Sequence, residues 1–345
     1  MAPQRKVRIL SIDGGGIRGI LPGVILEYIE AQLVQRTQNE NARISDYFDF
    51  IAGTSTGGIL TCLYLTADRD GRPRYSAKDA VDLYLENGQQ IFDRTLIHRV
   101  KTMDGLIDEK YDAKGLEGLA STYFSDTRLS HLLKPCLITS YNIEKRAAHF
   151  FTSHDADSDI HDYFVRDVAR ATSAAPTYFE CAHIKSVFGS PYALADGGVF
   201  ANNPALCAYS EVRNMNVPEW GMDRPRAAQM MMVSIGTGST PESFQYESAK
   251  DWGKVEWIQP VIDIMMSGNS ETVDYQLKML FDAADAAGQY YRIEPDLFSA
   301  DSKMDNADPK NLRALKEAGL KSVSEHKETL DKVVDDLIRY APPNP

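Results

Sequence analysis

The stretch Gly53-Thr-Ser-Thr-Gly-Gly58 constrains this chain more than any other. A mostly apolar run, Tyr47 to Ala52, precedes it, and an apolar helical pattern, Ile59 to Leu65, follows it. The order predicts a strand, a sharp turn and a helix, with Ser55 at the turn. Gly53-x-Ser55-x-Gly57 has the form of a nucleophile elbow. Small residues are needed on both sides because the strand and helix approach closely and the serine backbone is strained. The strain presents the hydroxyl at the helix N-terminus, where the helix dipole favours a developing alkoxide.

The rest of the chain reads as alternating strands and helices. Val7 to Ile12 predicts a buried strand, running into Asp13-Gly-Gly-Gly-Ile-Arg-Gly19 and then a helix with Pro22 in its first turn. Ser76 reads as the cap of another helix. Pro135 to Tyr141 and Ala147 to Thr152 read as two strands joined by a turn. Tyr163 to Ser173 reads as a helix, Tyr192 to Ala195 as a strand ending at Asp196-Gly-Gly198, and Met230 to Ile235 as a strand ending at Gly236-Thr-Gly238. Residues 92–125 are irregular and polar-aromatic. Residues 240–300 read as helical and partly Met-rich, and amphipathic helices close the chain. No internal repeat or linker is found. The expectation is one domain over 1–345, with a motif core at about 7–240 and C-terminal helices over 241–345. Its fold class is α/β, a three-layer α/β/α sandwich with a mainly parallel central sheet.

Length and charge bound the partners. The chain has 345 residues, enough for a sizeable core. Its formal net charge of -12 argues against nucleic acid as a partner and against broad attachment to anionic lipid. Cys62, Cys136, Cys181 and Cys207 are scattered, without a Cys-x-x-Cys pair, and read as reduced thiols. No apolar signal core and no 18-residue apolar span are found. A soluble, cytoplasmic protein is expected.

The chemistry-bearing turns are 13–19, 53–58 and 196–198, expected together at the carboxyl edge of the sheet. Gly14-x-Gly16-x-x-Gly19 matches the bare spacing of a dinucleotide-phosphate loop. However, the chain is mid-helix at Gln32 to Gln35, where a ribose-binding acid is required. The other meaning of the turn is an oxyanion hole, with side-chain-free amides converging on a carbonyl oxygen. Among the histidines, only His326 follows Asp196, and it lies on a charged helix face. His98, His131, His149, His154, His161 and His183 have no elbow-like surroundings and read as surface or structural residues. An Asp can take the serine proton directly, so the missing histidine points to a Ser55–Asp196 dyad.

Together these motifs resemble the patatin-like phospholipases. The resemblance rests on Asp13 to Gly19, Gly53 to Gly57, Thr172-Ser-Ala-Ala-Pro-Thr-Tyr-Phe179, Asp196-Gly-Gly198 and Ser234-Ile-Gly-Thr-Gly238, in the family's order. It implies lipid acyl hydrolysis in a bacterial-type, stand-alone domain. Ser55 is then the nucleophile and Asp196 the base, Gly14, Gly15 and Gly16 form the oxyanion hole, and Arg18 binds anion or substrate. No metal and no cofactor are implied. The substrate is a phospholipid or other acyl ester. Bacterial members of this size resemble effectors switched on by a cyclic nucleotide, which makes a nucleotide activator a further expected partner. A general carboxylesterase, a thioesterase and a weakly active storage-type patatin share the same dyad and stay open. Peripheral membrane contact is expected through apolar segments, Ile91-Phe92 to Leu106 and Tyr178-Phe179, with a cap near 90–125 over Ser55. The Met230–Met232 run and Met265-Met266 read as core before lipid contact.

Overall fold

The computed structural model describes residues 5–92, 111–238, 244–253 and 256–341. Strand β1 (Val7–Ile12) leads through the glycine turn into helix α1 (Ile20–Thr37). The short α2 (Ile44–Tyr47) precedes β2 (Phe50–Thr54), which passes at Ser55 into α3 (Thr56–Leu65). Helices α4 (Ala77–Ile91) and α5 (Lys114–Phe124) follow. A hairpin of β3 (Cys136–Asn142) and β4 (Ala147–Thr152) leads to α6 (Val165–Thr172). A second hairpin, β5 (Ala182–Lys185) and β6 (Pro191–Asp196), leads to the one-turn α7 (Gly198–Ala201) and to α8 (Ala205–Asn214). A small ribbon, β7 (Asn216–Val217) with β8 (Met222–Asp223), precedes β9 (Met230–Ile235). Then come α9 (Tyr246–Ala249), α10 (Ile258–Asp282), β10 (Tyr290–Ile293), α11 (Pro309–Glu325) and α12 (Lys327–Arg339).

The main sheet has the order β10-β9-β1-β2-β3-β6-β5, with β4 also paired to β3. Strands β10, β9, β1, β2 and β3 are mutually parallel. Side chains alternate across these strands because the strand period is two. Leu10, Ile12, Ile51, Ile138, Val233 and Ile293 pack with α1, α3, α4 and α11 on one face. Val7, Ile9, Ala52, Leu137 and Met232 pack with α8 and α10 on the other. Helices thus cover both faces of a mainly parallel sheet, the three-layer sandwich expected. The Met230–Met232 run lies fully inside β9, as core.

Strand β6 does not run as expected. Placing Asp196 at the carboxyl edge assumed a strand parallel to β1 and β2, yet β6 is antiparallel to β3. Thr139 pairs with Thr54 and with Phe150, and Ser140 pairs with Asp196 and with His149. Strand β4 therefore fills one edge of β3, while β2 and then β6 share the other. The last two run toward each other along that edge, and their C-terminal ends meet head-on at Thr54 and Asp196. A hairpin return brings the acid to the serine from the opposite direction.

The elbow tolerates this crowding only without side chains. A Cβ at Gly53 would lie 2.1 Å from the Gly57 carbonyl oxygen, and one at Gly57 would lie 2.1 Å from that of Ile12. Both contacts are with backbone, which cannot swing away. Gly57→Ala should destabilise the fold by about 3 kcal/mol or more, read as a lowered denaturant midpoint. A midpoint equal to wild type would refute this account of the elbow.

Candidate active site

Ser55 caps α3 with φ 54° and ψ -120°, a backbone conformation that L residues rarely adopt. Such strain costs on the order of 1–3 kcal/mol and persists only when neighbours enforce it. The Ser55 amide donates to Thr172 Oγ1 at 2.9 Å, and that hydroxyl donates to the Thr139 carbonyl at 2.7 Å. One threonine on α6 thereby ties the strained turn to the central strand β3. No spacing in the chain signals this role, because only the fold brings residues 55, 139 and 172 together.

Asp196 lies against the serine. Its carboxylate meets the Ser55 hydroxyl, and Oδ1 accepts the Gly198 amide at 2.7 Å. The residue is only 5% exposed. Burial raises its pKa to about 7, more than these two donors lower it. At neutral pH the group is poised between acid and base, as a proton carrier needs to be.

The glycine turn closes the third side. Gly16 adopts φ 59°, which favours glycine. Gly14 does not offer its amide to the site, because that amide donates to the Asn202 carbonyl at 3.0 Å. Its carbonyl accepts from Thr237 Oγ1 at 2.7 Å. Of the three expected donors, the Gly15 and Gly16 amides remain, with no acceptor found among the described residues. Both glycines line the same cavity as Ser55 and Asp196.

Arg18 departs from its expected role as an anion or substrate contact. It is absent from the cavity wall, and its guanidinium donates to the carbonyls of Gly15 at 3.4 Å and Gly238 at 3.2 Å. It clamps two glycine turns to each other. A second clamp is buried beneath. Arg292 on β10 holds Asp13 through two hydrogen bonds, at 2.9 and 2.7 Å, and also pairs with Glu294. Glu294 in turn accepts the Gly238 amide at 3.1 Å. Arg292 on β10 and Glu294 just after it thus come from a region expected to be helical.

No described histidine lines the cavity; His98 lies outside the described residues. His149 is the one nearest in the sheet. It pairs with Ser140 from the edge opposite Asp196, so two strand spacings, about 10 Å, separate their backbones. Its ring packs edge-on against Phe151, and burial lowers its pKa to about 4. It is a neutral, half-buried packing residue, one of the structural roles expected. His326 sits at the α11–α12 junction, its Nδ1 3.0 Å from the Ser322 carbonyl. Among the described residues, His154, Asp155 and Glu211 form one group with metal-like spacing. It lies beside Phe50, at the end of β2 remote from Ser55.

The cavity measures about 820 Å³ including its mouth. Ser55, Asp196, Ser173, Gly15 and Gly16 form a small polar floor. Ile59, Leu116, Phe179, Met266 and Met304 are among its apolar walls. Tyr178 and Phe179, expected to face a membrane, are buried in this wall, where Phe179 packs on Phe92 and Tyr111 at 5.9 and 5.8 Å. Met265 and Met266 also line it, so this Met pair belongs to the cavity and not to the core alone. Half of the expected cap near 90–125, residues 93–110, lies outside the described residues.

Thr172→Val tests the elbow tie. It leaves the Ser55 amide buried without an acceptor, so stability should fall by about 1–3 kcal/mol. Turnover should fall with it, and Thr172→Ser should restore both. A Val variant with wild-type melting temperature and rate would show that Thr172 does not hold the elbow.

The family model described as Patatin-like phospholipase matches residues 10–209. The chain is 37% identical over 339 residues to Patatin-like protein 1 of Arabidopsis thaliana, covering 92% of this chain and 81% of that one. It is 33% identical over 335 residues to Probable inactive patatin-3-Kuras 1 of Solanum tuberosum, covering 92% and 88%. Among solved structures it is similar to VipD from Legionella pneumophila at a TM-score of 0.33 and 14% identity, covering 94% and 68%. The two sequence relatives are plant proteins, where a bacterial type was expected. The glycine turn, the elbow and Asp196 all fall within the matched residues, and the chain belongs to the patatin-like phospholipase family.

Proposed function

We propose that this chain hydrolyses acyl esters of phospholipids by a Ser55–Asp196 dyad through an acyl-serine intermediate. The observation that carries the reading is the strained Ser55 hydroxyl set against a buried Asp196, on the polar floor of an apolar cavity. One relative is named as inactive, so the site geometry has to carry the activity where family membership alone does not.

The steps follow from the geometry. An acyl chain occupies the apolar walls and sets its ester carbonyl over Ser55. Asp196 takes the hydroxyl proton as Oγ attacks the carbonyl carbon. The Gly15 and Gly16 amides stabilise the resulting oxyanion, each worth on the order of 10²–10³ in rate. As the tetrahedral intermediate collapses, the carbon–oxygen bond to the leaving alcohol breaks and Asp196 protonates that alcohol. Water then attacks the acyl-serine, again giving its proton to Asp196. Collapse expels Ser55 Oγ, which takes the proton back, and the fatty acid is released. Each step balances without a redox partner.

Ser55→Ala should lower turnover of phosphatidylcholine and of a soluble nitrophenyl ester by on the order of 10⁴ or more. Wild-type turnover by a folded Ser55→Ala variant would end the reading. For the wild type, kcat/KM should rise with pH through about 7 and then level, because the base acts only when ionised. A flat profile between pH 5 and 9 would remove Asp196 from that role.

Asp196→Asn should be as inactive as Ser55→Ala and yet more stable than wild type at alkaline pH. The folded pKa lies above the ordinary 3.8, so the folded chain holds a proton that the unfolded chain releases between about 4 and 7. Carrying the ionised group therefore costs stability as pH rises toward 7, on the order of a few kcal/mol. The gain from Asn should be full above pH 7 and vanish near pH 4. Melting curves across that range check it, and an equal difference at both ends would overturn it.

A further inference from the structure

Helix α10 has two apolar stripes, and only one of them is covered. Ile262, Met265 and Met266 line the cavity above Ser55, and Asn269 and Ser270 hold the loop after Asp196. Spaced by three and four along the same helix, Trp257, Ile258, Val261, Ile264 and Met265 are instead open to solvent, at 40, 45, 40, 46 and 46% exposure. Met265 belongs to both stripes, so the open stripe runs into the cavity wall without a polar break. Aromatic rings extend the stripe away from the cavity. Trp257 packs on Trp252 at 5.0 Å, and Trp252 on the exposed Phe244 at 5.3 Å.

A run of exposed large apolar side chains of this kind marks an interaction site. Its charge selects the occupant. Between 257 and 270 the only charged residue is Asp263, and there is no Lys or Arg. The whole chain carries -12, which opposes an anionic surface. Trp at the edge of an apolar stripe suits the headgroup level of a bilayer, where one end of the ring is wet and the other apolar. Continuity with the cavity decides between a bilayer and a protein partner. Only a lipid surface both covers the stripe and presents an acyl chain to the adjoining wall.

We infer that the Trp257–Met265 stripe of α10 docks this protein onto a zwitterionic lipid surface, so that an acyl chain enters the Ser55 cavity along Met265. The inference rests on the lipid-hydrolase reading for its purpose but not for its test. It also replaces Tyr178-Phe179 as the membrane contact, since those rings are buried.

The test uses the full chain with Ser55→Ala, which does not require turnover, and neutral phosphatidylcholine vesicles. Flotation with vesicles should occur and resist added salt, because the contact is apolar. Tryptophan emission should shift to the blue. Trp252 and Trp257 report this shift, since the third tryptophan, Trp220, is already buried. The double change Val261→Asp, Ile264→Asp lies outside the cavity. It should weaken vesicle binding more than about tenfold, given the apolar area lost from the contact. In the chain with Ser55 intact, the same change should reduce turnover of vesicle phosphatidylcholine in step, while hydrolysis of a soluble short-chain ester stays unchanged. Leu at both positions should keep binding.

Binding by the double Asp variant equal to that of the parent would overturn the inference. So would a stripe that instead pairs two copies of the chain, seen as a dimer on size exclusion that the Asp changes dissolve while vesicles remain unbound. Vesicle binding by Ser55→Ala, together with a wild type that cleaves neither ester, would uphold the docking and sink the hydrolase reading.

Discussion

Everything at the site depends on β3 accepting two strands end to end along one edge. Strand β2 pairs with Cys136 to Thr139 and stops, and β6 takes over at Ser140 from the opposite direction. The junction is sewn by side chains of β3 itself. The hydroxyls of Thr54 and Thr139 meet at 2.7 Å, and Ser140 Oγ donates to the Ala195 carbonyl at 2.7 Å. Each bond satisfies a buried polar group at the place where two strand ends would otherwise leave several unmatched. Were β6 one residue out of register, Asp196 would face the other side of the sheet. The distance between serine and acid is therefore a property of the ladder and not of a flexible loop.

This junction carries unfavourable terms that the surroundings must offset. Ser55 holds a strained backbone, and Asp196 is a carboxylate in an apolar setting. Two other buried carboxylates, Asp49 and Asp13, are each held by an arginine. Arg8 meets Asp49 through two hydrogen bonds, each of 3.0 Å, and Arg292 meets Asp13. Asp196 has a hydroxyl and an amide where Asp49 and Asp13 have a guanidinium. A guanidinium would hold the carboxylate ionised and lower its affinity for a proton. Its place is taken by weaker donors, which leaves the pKa within reach of a catalytic cycle.

Much of this was legible in the chain. The elbow announces itself because the steric demand at Gly53 and Gly57 is local, and the glycine turn for the same reason. Setting the histidines aside also came from local surroundings, and the half-buried His149 packs against Phe151 in a structural role. What could not be read is long-range. Arg292 meets Asp13 across 279 positions, and the four-residue β10 that carries it looks like an extension of a helical region. Strand β5 is as short, and its exposed His183 and Lys185 leave only two apolar positions to signal it. The direction of β6 was missed because a strand's own residues show its period and not the sense in which it pairs. The Gly14 amide and the Arg18 guanidinium have the right chemistry for the roles expected of them. They are taken by Asn202 and Gly238, which no spacing in the sequence places nearby.

Helix α10 joins the two scales. Asn269 accepts the Asn203 amide, Ser270 accepts from the Asn202 side chain, and at Met266 the helix lies beside the acid's own loop, within 3.7 Å of where a Cβ on Gly198 would stand. Half a turn around, at Val261 and Ile264, it faces solvent. A helix rotates as a rigid body more readily than it deforms, since its backbone bonds are internal. The outer stripe, the Met265 and Met266 side chains at the cavity and the Asn269 contact to the loop after Asp196 are all carried by this one helix. In this architecture contact outside and alignment inside are two faces of one element. The same Met pair that sequence reading assigned to core is the place where they meet.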